Sequence, residues 1–182
     1  MGTTGPTGPS GVESTEKRIY TPFGPDGELT SDLSLTEQTG RCTIPSPIAP
    51  RSDAWRCFAD QGETTGPFDP CFGQLGAEAV ICLLAPWEPE GVRIELTRPL
   101  PVKRPVNEGN QDPWAIELVG GQRCEFVPGA GVQVANRWLN YSCDDGSDLL
   151  GSVERNRPFW SILSSQESKT SLEREQITIA WF

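Results

Sequence analysis

Residues 114–143 read WAIELVGGQRCEFVPGAGVQVANRWLNYSC, and their pattern decides the fold class. Ile116 and Leu118 alternate with Glu117, the period of two that puts one face of an extended strand in a core and the other in water. Gly120-Gly121 interrupts the run and reads as a two-residue hairpin turn, after which 122–127 resumes the strand. Ala135-Asn136 marks a second, weaker turn between 131–134 and 137–143. If the chain folds back through PGAGVQVAN, the strands 122–127 and 137–143 become antiparallel neighbours, and Cys124 comes to face Cys143.

The same texture extends outward on both sides. Short apolar runs at 55–59, 79–84, 92–100, 159–163 and 177–182 are separated by Gly, Pro, Asn and Asp, with Arg93, Ile94, Glu95 and Leu96 alternating as before. Seventeen prolines oppose long helices, because each removes a backbone donor and clashes with the preceding turn. Only 170–176, TSLEREQ, reads as a short helix, with Ser171 as N-cap and Glu173 and Glu175 near the positive end of the helix dipole. The expectation is an all-β protein, a disulfide-stapled sandwich or small barrel, with one domain over 41–182. Residues 1–40 are rich in Gly, Pro, Thr and Ser and read as a linker that buries too little surface to offset its ordering entropy. Within them Gly2, Gly5, Gly8 and Gly11 recur every third residue, a collagen-like register over 2–13. Four triplets are too few to hold a triple helix alone, so a monomer is expected, with a trimer through 2–13 as the alternative.

Six cysteines and no histidine set the chemistry. Cys42, Cys57, Cys71, Cys82, Cys124 and Cys143 include no C-x-x-C pair, and no histidine is present to complete a mixed zinc site. Three disulfides in an oxidising, extracytoplasmic compartment are expected. Besides Cys124–Cys143, the local pairs Cys42–Cys57 and Cys71–Cys82 each bracket one loop and are the preferred remainder. GTTGPTGPSG after Met1 does not read as a signal peptide, so export is expected of a domain that follows a removed leader or an anchor, and no apolar run reaches the ~20 residues that span a bilayer, so no membrane insertion of this stretch is expected. A net charge of −10 argues against nucleic acid as partner, since phosphates need a basic face. The one basic run, Arg93 to Arg104, reads as a solvated strand face and loop.

Without histidine, catalysis would rest on lysine or on paired carboxylates. Lys17, Lys103 and Lys169 all sit in polar or Pro-flanked contexts. Asp69 in PFDPC reads as a turn residue bonding its own backbone. Asp144, Asp145 and Asp148 in CDDGSD, with Glu125, are further carboxylates. The CDDGSD run lacks the twelve-residue loop of an EF-hand and reads as a plain turn rather than a calcium site. Asn140-Tyr141-Ser142 is an N-x-S sequon beside Cys143, read as structural. Of six tryptophans, Trp55, Trp114, Trp138 and Trp160 fall on predicted strands and are assigned to the core. Trp87, in the Pro-rich APWEPEG loop, is the candidate exposed aromatic and ligand platform.

The strings WRCFADQGETTGPFDPCF, VICLLAPWEPEGVRIELTRPLP, PWAIELVGGQRCEFVPGAGV and RWLNYSCDDG resemble a group of uncharacterised secreted proteins of actinobacteria and related soil bacteria. The resemblance covers roughly residues 55–160 and five of the six cysteines. It implies an extracytoplasmic location and a stapled β domain, and no activity. The functional expectation is therefore a non-catalytic extracytoplasmic binding or structural domain without cofactor, catalytic residue or metal. Its partner would be a cell-wall glycan or another surface protein. The alternatives are a carboxylate-dependent carbohydrate-active enzyme and the head domain of a trimeric collagen-like stalk.

Overall fold

The computed structural model describes residues 14–24, 26–30, 33–49, 51–60, 67–101, 111–127, 129, 131–165 and 172–182. The collagen-like stretch 2–13 and the start of the expected helix lie outside them. Every regular element among the described residues is a strand. In chain order these are β1 (Glu16–Arg18), β2 (Ser34–Pro45), β3 (Ala54–Ala59), β4 (Phe68–Phe72), β5 (Ala79–Cys82), β6 (Glu90–Leu96), β7 (Ala115–Leu118), β8 (Arg123–Phe126), β9 (Gln133–Val134), β10 (Arg137–Cys143), β11 (Asp148–Glu154), β12 (Trp160–Ser165) and β13 (Glu173–Trp181). The all-β expectation holds.

The strands form two compact units where the sequence suggests one domain: Ile19–Trp114 with Phe182, and Met1–Arg18 with Ala115–Trp181. In the first unit β2 to β6 form an up-and-down barrel in sequence order. Five strands make four antiparallel steps, an even number, so the first and last strands must point the same way, and the barrel closes through a parallel β2–β6 ladder from Ser34↔Glu90 to Gly40↔Leu96. Its core gathers Trp55, Val80, Ile94 and Leu100 around the sulfurs of Cys42, Cys57, Cys71 and Cys82. In the second unit β7, β8, β10, β11, β12 and β13 follow one another in antiparallel pairs. With six strands the ends run oppositely, and closure through β13–β7 is antiparallel, Ala180 facing Ile116. Inward positions alternate cleanly, as in β12, where Trp160, Ile162 and Ser164 are buried.

Two loops of the second unit use one device. Leu118 accepts from the Gly121 amide and Cys143 from the Gly146 amide, 2.9 and 3.0 Å respectively, and Gly121 (φ 88°) and Gly146 (φ 79°) supply the left-handed residue after the turn. Each is a three-residue hairpin loop, one residue longer than expected at Gly120-Gly121. Ala135 and Asn136 both have positive φ (49° and 62°), as a two-residue type I′ hairpin requires.

Three expectations are corrected. Glu173–Gln176 are the first residues of β13 rather than a helix, because they ladder against β12 from Ser164↔Glu173 to Ser161↔Gln176. The expected 1–40 linker gives way to strand at 16–18 and 34–40. β2 lacks an apolar run, yet its backbone is needed on both edges, by β3 and by β6. Tyr20 likewise packs on Phe72 and Trp114, with ring centroids 5.4 and 5.9 Å apart, so the boundary at residue 41 dissolves.

β1 is short and charged, yet it runs parallel to β13 beyond the end of β12, Glu16↔Ile179 to Arg18↔Trp181. Thr15 stitches it down: its buried hydroxyl donates to the Ile177 carbonyl (2.6 Å) and accepts from the Trp160 amide (2.7 Å). Thr15→Val keeps the shape and strands both partners. It is expected to cost about 2 kcal/mol, read as a lower midpoint in chemical denaturation, and an unchanged midpoint would refute the role given to this hydroxyl.

Candidate functional site

The six cysteines form three bridges, and none of them is free. Cys42–Cys57, Cys71–Cys82 and Cys124–Cys143 each join residues directly opposite on neighbouring antiparallel strands, with Cα separations of 3.8, 3.9 and 4.0 Å. The preferred pairings are thus the ones present. The sulfurs of Cys57, Cys71 and Cys82 lie within 4.8 Å of one another. Since all three are bridged, the cluster is a core of two adjacent disulfides. Three closed bridges are the pattern of an oxidising, extracytoplasmic compartment. No helix of the described residues is long and apolar enough to cross a membrane.

The candidate carboxylates are held by their own surroundings. Asp69 lies within β4, which corrects its reading as a turn residue. Only 3 % of its side chain is exposed. Arg56 Nε donates to Oδ2 at 2.7 Å and Ser46 Oγ to Oδ1 at 2.5 Å. Ser46 Oγ in turn accepts from the Ala49 amide, so Asp69 anchors the 46–49 segment. Burial raises the Asp69 carboxyl above its ordinary range, against the lowering effects of Ser46 and Arg56. Asp144 accepts from the Arg123 amide, and Asp145 from the amide and hydroxyl of Ser147. Those Ser147 bonds lower the Asp145 carboxyl. Asp148 is half-buried on β11 and Glu125 exposed on β8. Asn140, the sequon residue, spends its amide on the Gly151 carbonyl at 2.9 Å.

The aromatic platform is where the structure departs most from expectation. Trp87 is only half-exposed. Trp55, Trp114 and Trp160 are buried as expected, at 1, 1 and 7 % exposure, whereas Trp138 is 54 % exposed. The reason is local. Arg137 and Trp138 pair with Val134 and Gln133 of β9, while the β10–β11 register begins only at Leu139↔Leu150. At these two positions β10 ladders with β9 alone, as a two-stranded ribbon, and the Trp138 ring is left half in solvent. Gln133, directly opposite, shares its face. The sequence signal was the shortness of the 131–134 run, which leaves β10's first residues nothing wider to join.

At the β11–β12 connection lies an open groove of about 220 Å³ lined by Glu154, Asn156, Arg157, Ser161 and Arg174. Arg174 pairs with Glu154 at 2.5 Å and donates to Ser161 Oγ at 3.1 Å. Trp160, next in the chain to Ser161, is flanked by Lys17 and Arg155, 5.0 and 4.7 Å from the ring centroid. Comparison of the chain with family models, with curated proteins and with solved structures finds no match.

Proposed function

We propose that the chain is a non-catalytic, secreted or surface-held carbohydrate-binding domain. The carrying observation is Trp138, a large aromatic half out of the protein on the β9–β10 ribbon with Gln133 directly opposite it. An exposed indole stacks on the apolar face of a sugar ring, and a neighbouring amide serves the ring hydroxyls. The non-catalytic part rests on Asp69, Asp144 and Asp145, whose carboxylates are engaged in an ion pair or in turn hydrogen bonds. The location rests on the three disulfides.

The test is retention of the oxidised protein on immobilised cell-wall glycans. Trp138→Ala is expected to weaken binding about tenfold or more, the size of an interface anchor, with an unchanged melting curve because the side chain supports no core. Trp87→Ala is expected to leave affinity within twofold. Absence of any glycan signal, or indifference to Trp138→Ala, would overturn the reading.

A further inference from the structure

We infer that the bound glycan is anionic, and that Arg157 takes a carboxylate or sulfate of a sugar neighbouring the one stacked on Trp138; this rests on the function proposed above. β10 and β11 run antiparallel with Leu139 opposite Leu150, and Asn140 is tied to Gly151. Arg137 and Trp138, at the start of β10, therefore lie at the same end of the six-stranded unit as Glu154 and the loop that follows β11. That end carries the β9–β10 ribbon on one side and the groove on the other.

The groove is built to donate. Its one carboxylate, Glu154, is neutralised by Arg174. Because Arg174 donates to Ser161 Oγ, that hydroxyl's own hydrogen is left to donate outward. Asn156 adds an exposed amide. Arg157 is exposed and makes no ion pair or hydrogen bond with any described residue. One unspent guanidinium, one hydroxyl and one amide converge on a space that asks for an acceptor with negative charge. A guanidinium presents a two-pronged fork to a carboxylate or sulfate.

Size sets the rest. About 220 Å³ is below the ~300–1,000 Å³ of sites that enclose a whole small molecule, so the groove admits one charged group. Trp138 is not among its lining residues, so one ligand touching both must be a chain of sugars. A polyphosphate chain is disfavoured, since every nucleotide brings a charge and the protein's net charge is −10.

Titration calorimetry on the intact, oxidised protein separates the claims, using polygalacturonate, dextran sulfate, uncharged dextran and single-stranded DNA. Polygalacturonate or dextran sulfate should bind at least tenfold more tightly than dextran, and which one does identifies the anion. Arg157→Gln should erase that preference, a loss of about tenfold for one charge-assisted pair, and leave dextran affinity unchanged. If Arg157→Gln leaves anionic affinity intact while Trp138→Ala abolishes it, this inference falls and the carbohydrate function stands. If Trp138→Ala changes nothing, the function falls first. Equal or tighter binding of single-stranded DNA overturns the choice of a sugar chain, as does failure of both anionic polymers to bind.

Discussion

Full reduction of the protein is expected to unfold it at physiological temperature. The bridges close loops of sequence separation 15, 11 and 19. On the loop-entropy account each removes about 3 kcal/mol of freedom from the unfolded chain. Together that is about 9 kcal/mol, as large as the whole stability of an ordinary domain. The five-stranded unit should suffer most. Cys42, Cys57, Cys71 and Cys82 are half of its named buried core cluster, so reduction there leaves four thiols where two compact bridges had filled the space. The measurement is a circular-dichroism melt with and without a phosphine reductant, followed by alkylation. A reduced protein melting within a few degrees of the oxidised one would show that the bridges only decorate strands already held by their ladders. Replacing Cys124 and Cys143 together by Ala should cost about 3 kcal/mol, since that pair staples the second unit alone.

Removing the Arg56 guanidinium is the second large effect. Arg56→Leu keeps much of the side-chain stem and leaves the Asp69 carboxylate buried with only Ser46 to face it. Breaking one side of a buried pair costs about 3–5 kcal/mol, reduced toward the lower figure here because the Arg56 side chain is 26 % exposed. Burial already holds the Asp69 carboxyl above its ordinary range, and loss of the cation raises it further. The folded state then holds this proton more tightly than the unfolded chain does. Stability therefore falls as pH rises from the ordinary carboxyl value through the raised one. The deficit of Arg56→Leu against the parent should be full at neutral pH and shrink as pH drops toward the ordinary carboxyl range. Asp69→Asn in the Arg56→Leu background should restore part of the stability at neutral pH. A deficit independent of pH would assign the loss to packing of the arginine stem rather than to the buried charge.

Much of this was legible in the chain. Bridge pairing was readable because Cys42–Cys57 and Cys71–Cys82 each flank a single loop and the chain between Cys124 and Cys143 folds back on itself, so that neighbouring antiparallel strands bring each pair opposite one another. The strands at 54–59, 115–118 and 137–143 carry apolar or alternating residues that burial demands, and 123–126 was marked by the turn before it and by Cys124. β2, β4 and β11 carried weaker signals. SLTEQTGRCTIP is mostly polar, FDPCF contains proline and DLLGSVE opens like a turn. What holds them is the hydrogen-bonding of their neighbours' edges, a demand that belongs to the partner strands. TSLEREQ erred the same way, since a local capping pattern is overridden by a ladder with β12.

The candidate site divides along the same line. Composition and spacing alone determined an all-β chain, closed by three local disulfides in an oxidising compartment, with no histidine for catalysis. Tertiary structure alone decided which tryptophan meets solvent. Trp138 sits in a run as apolar as its neighbours, and only the failure of β9 and β11 to flank it together leaves the ring uncovered. It also decided that the strands divide into a barrel of five and a closed sheet of six, closed in opposite senses. A strand's exposure and its final partner depend on how many strands stand beside it, and that count is a property of the assembled sheet, which no segment carries in its own residues.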